Sequence, residues 1–280
     1  MATRPALSPG RMRRWHLIEI EDQPWCPRAI RDAATDYLQF SIRVGNVYAP
    51  VAEKLGRALQ RVGARRVVDL CSGGAGPWPA LSAELAEDRQ SPVAVCLTDK
   101  FPNASAFGRA RDLSGGAISF REDSIDAAAV PADLTGFRTI FSALHHFPPA
   151  AARAVLADAV KRRQGIGVFE ATQRSVAGGL VMLLTPLMVW LFTPFIRPFR
   201  WSRLLWTYAI PVVPLVVLFD GIVSSLRTYT PAELHELTEA LSADGYQWEI
   251  GEVRAKRAPV PVTYVIGCPT TEVGEVKGQR

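Results

Sequence analysis

Residues 67–78 read Val-Val-Asp-Leu-Cys-Ser-Gly-Gly-Ala-Gly-Pro-Trp. A short β-branched run ends on Asp69, and Gly73, Gly74 and Gly76 follow at once. A strand that ends on an acid and opens into a glycine-rich turn is how an open α/β sheet brings a nucleotide-like ligand against bare backbone. Side chains at those positions would hold the ligand away. The spacing is not Gly-x-Gly-x-x-Gly, which separates this turn from the dinucleotide-binding fingerprint of oxidoreductases.

Working outward, apolar runs predict strands over 66–70, 93–98, 117–121, 139–142 and 166–170, with helices over 78–88, 103–112 and 149–163 between them. Alternation of this kind predicts a mostly parallel sheet joined by right-handed crossovers. Polar groups stand at the ends of successive strands: Asp69, then Leu97-Thr98-Asp99, then Glu122-Asp123-Ser124, then Ser142-Ala143-Leu144-His145-His146-Phe147. The pattern lapses for about fifty residues after Glu170 and returns at Thr230-Pro231-Ala232-Glu233, a helix start with threonine as cap, proline in the first turn and an acid behind it. That helix is expected to reach about Leu241, with Asp244-Gly245 as a turn. Two strands, 246–254 and 260–267, then form a closing hairpin across 256–259.

Strand ends with these groups in this order resemble the class I S-adenosylmethionine-dependent methyltransferases. The resemblance covers 63–175 and 225–268. It implies an α/β, Rossmann-like, mostly parallel seven-stranded sheet with helices on both faces, here with an N-terminal helical cap over 15–62 and an apolar helical insert over 176–224. Residues 1–14 read as a basic tail and 269–280 as a second tail. The family's turn reads acid-x-Gly-x-Gly-x-Gly. In this chain Cys71 takes the first glycine's place, Gly73 keeps the second, and Ala75 takes the third, with Gly76 just after. The implied cofactor is S-adenosyl-L-methionine. Gly73 and Gly74 would meet its methionine end, Asp69 would hold its ammonium through the loop or a water, Asp99 its ribose, and Asp123 with Ser124 the adenine edge; Cys71, Lys100 and Ala143 are further cofactor-binding candidates. Singly, an acid such as Asp69 or Asp99 is more often a helix cap or a solvated turn residue; the ordered set points to the cofactor.

Methyl transfer from a sulfonium is an in-line displacement, so the protein chiefly aligns the acceptor and excludes water. A protonated acceptor also needs a base, and histidine suits that task near neutral pH. His145 and His146 stand at the fourth strand end, where the resemblance places the methyl group; the alternative is that they only order that loop. Asp36 and Tyr37, in the cap, and Arg227, where the pattern resumes, are candidates for orienting a substrate. The expected reaction is methyl transfer to a hydrophobic or lipid-like small molecule. A membrane-associated protein that binds the cofactor without catalysis, or a related fold running other chemistry, are the alternatives.

Of 280 residues, 48% are hydrophobic and 21% charged, with a formal net charge of +5, so a globular chain with an apolar excess is expected. The basic clusters at 11–14 and 161–163 carry no nucleic-acid-binding signature, and no nucleic-acid partner is expected. Cys26, Cys71, Cys96 and Cys268 lie far apart, and no metal site is legible from them. The N-terminus lacks an apolar run of signal-peptide length, since Glu19, Glu21 and Asp22 interrupt it, which predicts a cytoplasmic protein. The apolar excess falls at 177–196 and 204–219, stretches without charge, separated by Arg197, Arg200 and Arg203. Three readings stay open for this insert. It could lie at the inner membrane surface, act as a lid or homodimer face, or span the bilayer, though the last would carry three arginines to the far side.

Overall fold

The computed structural model describes residues 13–89, 93–241, 245–254 and 260–270. Most of the expected basic tail, the tail beyond 270, Asp244 and the hairpin link at 256–259 lie outside the described residues.

Seven strands form one sheet: β1 (Arg66–Leu70), β2 (Ala94–Asp99), β3 (Ile118–Ser124), β4 (Phe137–Phe141), β5 (Ile166–Glu170), β6 (Tyr246–Val253) and β7 (Val262–Pro269). Their order is β3-β2-β1-β4-β5-β7-β6. The first five pair in parallel, and β7 runs antiparallel between β5 and β6. The chain builds outward from β1 in one direction, then returns to β4 on its other side. The crevice that such a reversal opens lies at the carboxyl ends of β1 and β4.

Ten helices are described: α1 (Arg28–Gly45), α2 (Ala49–Arg61), α3 (Trp78–Arg89), α4 (Ala104–Leu113), α5 (Pro149–Lys161), α6 (Val176–Leu183), α7 (Thr185–Phe192), α8 (Trp201–Leu204), α9 (Val212–Arg227) and α10 (Pro231–Glu239). Alternate residues of each strand point to opposite faces, so neighbouring valines serve different cores. Val67 packs with Leu55 and Leu59 of α2, Leu81 of α3 and Phe107 of α4. Val68 packs with Val155 and Leu156 of α5 and Leu234 of α10. The start of α10 is the expected one: Thr230 and Glu233 form a reciprocal capping box.

The N-terminal segment departs from expectation. Residues 13–27 form no helix or strand, because Pro24 and Pro27 exclude a regular ladder, and the cap begins only at Arg28. They run as a strap along α9: the Trp15 amide donates to the Leu226 carbonyl, and the amides of Ile20 and Glu21 donate to the Asp220 carboxylate.

The insert has a core of its own. Ile30, Ala33, Ala34 and Tyr37 of α1 pack on Val189 of α7 and on Val213, Val216 and Val217 of α9. Arg203, 2% exposed, pairs with Asp36, and Arg200 donates to Asp32 at 3.1 Å. Asp36 thus neutralises the insert's arginines while also lining a cavity beside the glycine turn, and Tyr37 packs in the insert's core. Removing Arg203 leaves Asp36 charged and largely buried, so Arg203→Ala should lower the urea-unfolding free energy by about 3 kcal/mol. Arg28→Ala, whose partner Asp32 it meets at an exposed 3.7 Å contact, should change it by less than about 0.5 kcal/mol.

Candidate functional site

The glycine turn is built by the two strands beside it. Gly73 and Gly76 adopt φ of 50° and 49°, and Cys71 and Ala75 share the left-handed region at 57° and 80°. A Cβ on Gly73 would meet nothing within 4 Å, so its peptide faces open space in which a ligand can touch backbone. Its amide donates to Asp99 Oδ2 at 2.9 Å, and the Phe101 amide donates to Asp99 Oδ1 at 2.8 Å. A carboxylate has about four acceptor positions, so Asp99 keeps one free on each oxygen, suited to a vicinal diol. Gly74 lies under α1, where its Cβ would come to 3.2 Å from Thr35, and Gln39 donates to the Gly76 carbonyl at 2.7 Å. The cap thus closes one side of the turn.

Asp69 acts on the turn from beneath. It is buried, and its oxygens accept from Thr139 Oγ1 at 2.6 Å and Ser72 Oγ at 2.7 Å. It shapes the turn from inside the sheet. Burial pushes its pKa up to about 6, against the pull of those hydroxyls. Cys71 is also pushed up by burial, which makes it an inert wall of the turn. Lys100 pairs with Asp126 at 3.3 Å, Asp123 with Arg121 at 2.6 Å, and Ser124 donates to the Lys100 carbonyl at 2.7 Å. Asp123 and Ser124 thus line the exposed end of β3 beside Asp99, with which Ser124 is in register. Phe101, 82% exposed at the same edge, offers an aromatic face that the sequence reading did not single out.

The end of β4 carries the densest polar chemistry. Ala143 is buried and begins a short 3-10 turn over Leu144–His146. Glu170, closing β5, accepts from the Leu144 amide at 2.8 Å and contacts His145 Nδ1 at 2.6 Å through its other oxygen. His146 Nδ1 lies 3.0 Å from Asp22 Oδ2 and 3.5 Å from Glu19 Oε2, and its ring lies 4.3 Å from that of His145. Burial lowers the His146 pKa, but the hydrogen bond to Asp22 and the charges of Glu19 and Asp22 outweigh it, so the net shift is upward. Arg227 is buried here: it donates to the carbonyls of His145 and His146 and meets Glu19 Oε1 at 3.2 Å. These contacts make it a support of the histidine turn. Arg14 adds donors to the carbonyls of His145, Phe147 and Arg227.

A separate cavity of about 510 Å³ opens behind the glycine turn, between α1, α3 and α4, lined by Gln39, Phe40, Gly76, Leu81 and Arg109. Its lining includes Gly74, Ala75 and Gly76 of the glycine turn but none of Asp99, Asp123 or His145.

No family model matches the chain, and no curated protein matches it in sequence. Solved structures do match it in shape. The plantazolicin methyltransferase BpumL, in complex with SAH, superposes with a TM-score of 0.52 at 9% identity, over 90% of this chain and 93% of that one. The chain has the class I methyltransferase fold. Two further structures are similar at lower scores. An O-methyltransferase family protein from Burkholderia thailandensis matches with a TM-score of 0.46 and 15% identity, over 83% of this chain and 58% of its own. Human N-acetylserotonin methyltransferase in complex with SAM matches with 0.48 and 16%, over 86% and 58%. This chain therefore spans under two thirds of the length of those two proteins.

Within the class I methyltransferase fold, the sequence reading missed Glu19, Glu170 and Phe101. Glu170 had a legible signal, since it ends an apolar strand as Asp69 and Asp99 do. Glu19 had none, because its role depends on a strap folding back over more than 120 residues of chain.

Burial holds Glu21 up at about 8, with the charges of Asp220 and Glu19 adding to it, as burial holds Asp69 at about 6. Both lie above the unfolded values, so the native chain keeps protons that the unfolded chain has released. Their stabilising contribution is complete below about pH 4 and is lost as pH rises toward 8. Asp69→Asn should flatten the part of that slope between about pH 4 and 6, read by urea unfolding across the range.

Proposed function

We propose that this protein is an S-adenosylmethionine-dependent methyltransferase that acts on a hydrophobic, lipid-like small molecule at a membrane surface. The observation that carries the reaction is the pairing of the open Gly73 peptide with Asp99 at adjacent strand ends of this sheet. Glycine backbone, a carboxylate with free acceptor positions, and the exposed Phe101 face suit the methionine, ribose and adenine parts of the cofactor in turn. When bound, the cofactor supplies a methyl group on a sulfonium, already activated for transfer. Asp99 would orient the ribose, the 73–76 backbone would hold the amino-acid end, and Asp123 with Ser124 would border the base. His145 and His146, on the turn after β4, are assigned to the acceptor end, where a reacting oxygen or nitrogen must lose a proton.

The apolar insert supports the choice of acceptor. Residues Val176–Phe195 form a 20-residue helical run of mean hydropathy 2.0, with only 17% of its most apolar window buried. Leu180, Leu183, Leu184, Leu187 and Leu191 are exposed at helical spacing, so the outward face is leucine where a water-facing helix carries charge. Burying one such side chain is worth about 1.5–3 kcal/mol, enough for a handful to hold the protein on lipid. An orientation in the plane of the surface is favoured over spanning. Arg200 and Arg203, between the two apolar stretches, are tied to α1 of the cap, and Trp201–Ala209 meets Val212–Arg227 at an 80° bend.

Two outcomes are expected. With methyl-labelled S-adenosylmethionine and an extract, label should enter the organic phase, and Asp99→Ala should weaken cofactor affinity at least about tenfold. Full cofactor affinity without label transfer would favour a non-catalytic binding protein. Leu183→Glu with Leu187→Glu should abolish flotation with anionic phospholipid vesicles while leaving cofactor affinity unchanged; flotation that survives would refute the membrane part.

A further inference from the structure

The strap and the turn after β4 bring Glu19, His145 and His146 together, with one ligand-type atom from each within 4.8 Å of the others. The set is buried on the Glu19 and His145 side, and His146 and Asp22 are partly exposed. The question is what occupies the space between the two rings and the carboxylate.

The tautomer of His145 narrows the answer. Glu170 already accepts from the Leu144 amide, and a carboxylate only accepts, so the 2.6 Å contact at its other oxygen puts the proton on His145 Nδ1. That leaves Nε2 to present a lone pair. Nε2 is buried and has no hydrogen-bond partner among the described residues, and the residue is 2% exposed. Its near neighbour is Glu19 Oε1 at 3.8 Å. That separation is too long for a direct hydrogen bond, so a lone pair and a carboxylate face each other across a gap that a bound cation would bridge. Two ligands each about 2.1 Å from one ion stand roughly 3–4 Å apart. The His145 to Glu19 distance fits, as does the 3.5 Å from His146 Nδ1 to Glu19 Oε2. An acceptor molecule would not fit in that gap, but an ion would.

The surroundings are those of a metal site. A histidine ligand whose other nitrogen donates to a carboxylate is the usual outer support of such sites, and Glu170 provides it. Glu19 is oriented by the Ser224 hydroxyl at 2.9 Å and by Arg227. Glu19, Asp22 and Glu170 bring three carboxylates to the cluster, against the single guanidinium of Arg227 on Glu19 and Asp22. An acidic cluster of this kind favours a cation.

We propose that Glu19, His145 Nε2 and His146 Nδ1 bind one divalent first-row transition ion of the zinc type, the ion replacing the proton that His146 Nδ1 otherwise shares with Asp22, with an open position on the exposed Asp22 side. There it holds and polarises the oxygen or nitrogen of the acceptor. This deepens the methyltransferase reading and rests on it for the role of the ion, while the site itself stands on the geometry alone.

The test uses the full chain, stripped with chelator and titrated with Co²⁺, whose visible d–d bands report ligation. One equivalent should bind and be displaced by Zn²⁺. Glu19→Gln and His145→Asn should each weaken binding at least about 100-fold, and Glu170→Gln about tenfold. Cofactor affinity should stay unchanged. Absence of stoichiometric Co²⁺, or binding indifferent to Glu19→Gln and His145→Asn, would overturn the proposal. If either variant unfolds, X-ray absorption of the wild-type Zn²⁺ form decides: two imidazole nitrogens in the shell support the site, and an all-oxygen shell refutes it. Methyl transfer is assayed separately. Intact Co²⁺ binding without transfer removes the reaction and leaves the site, and transfer that is insensitive to chelator without Co²⁺ binding removes the site alone.

Discussion

The buried carboxylate of Glu170 is the point on which the histidine turn after β4 depends. It stops the apolar strand β5 and accepts from the amides of Leu144 and His145 and from the His145 ring. Hydrogen bonds to an ionised acceptor are roughly twice as strong as neutral ones, and these hold the turn after β4 against the sheet. With the turn fixed, the carbonyls of His145 and His146 point to Arg227, and Arg227 in turn reaches Glu19 of the strap. One acid therefore sets the tautomer of a histidine and the place of a segment far from it in sequence.

The cofactor end rests on a simpler constraint, two parallel strands ending side by side. Asp99 closes β2 and receives the Gly73 amide from the turn after β1, so the acid and the glycines are held in one frame. Asp69 works from beneath, joining Ser72 of that turn to Thr139 of β4. The backbone of the glycine turn is thus stiffened from within the sheet.

The insert joins these two ends to the outside. Its α9 carries Arg227 at one terminus and packs on α1 along its length, and Asp220 within it takes the strap amides. The helix that contacts the apolar surface layer is the same one that supports the histidine turn. A force applied to the exposed leucines would reach the site through packed side chains rather than a flexible linker.

The strand ends, the order of the elements and the start of α10 were legible in the sequence. The signals are local: an apolar run of period two, an acid at its end, glycines in the next turn, and Thr-Pro-x-Glu before a helix. The same local logic marks Glu170 once one looks for acids that end buried strands. Tertiary structure alone decided that Asp36 and Tyr37 serve the insert, that Arg227 supports a turn, and that Glu19 meets two histidines. Those roles arise where segments far apart in the chain come together, so no spacing in the sequence records them. A charge buried beside its partner and a charge in water are written with the same letter, and only the fold distinguishes them.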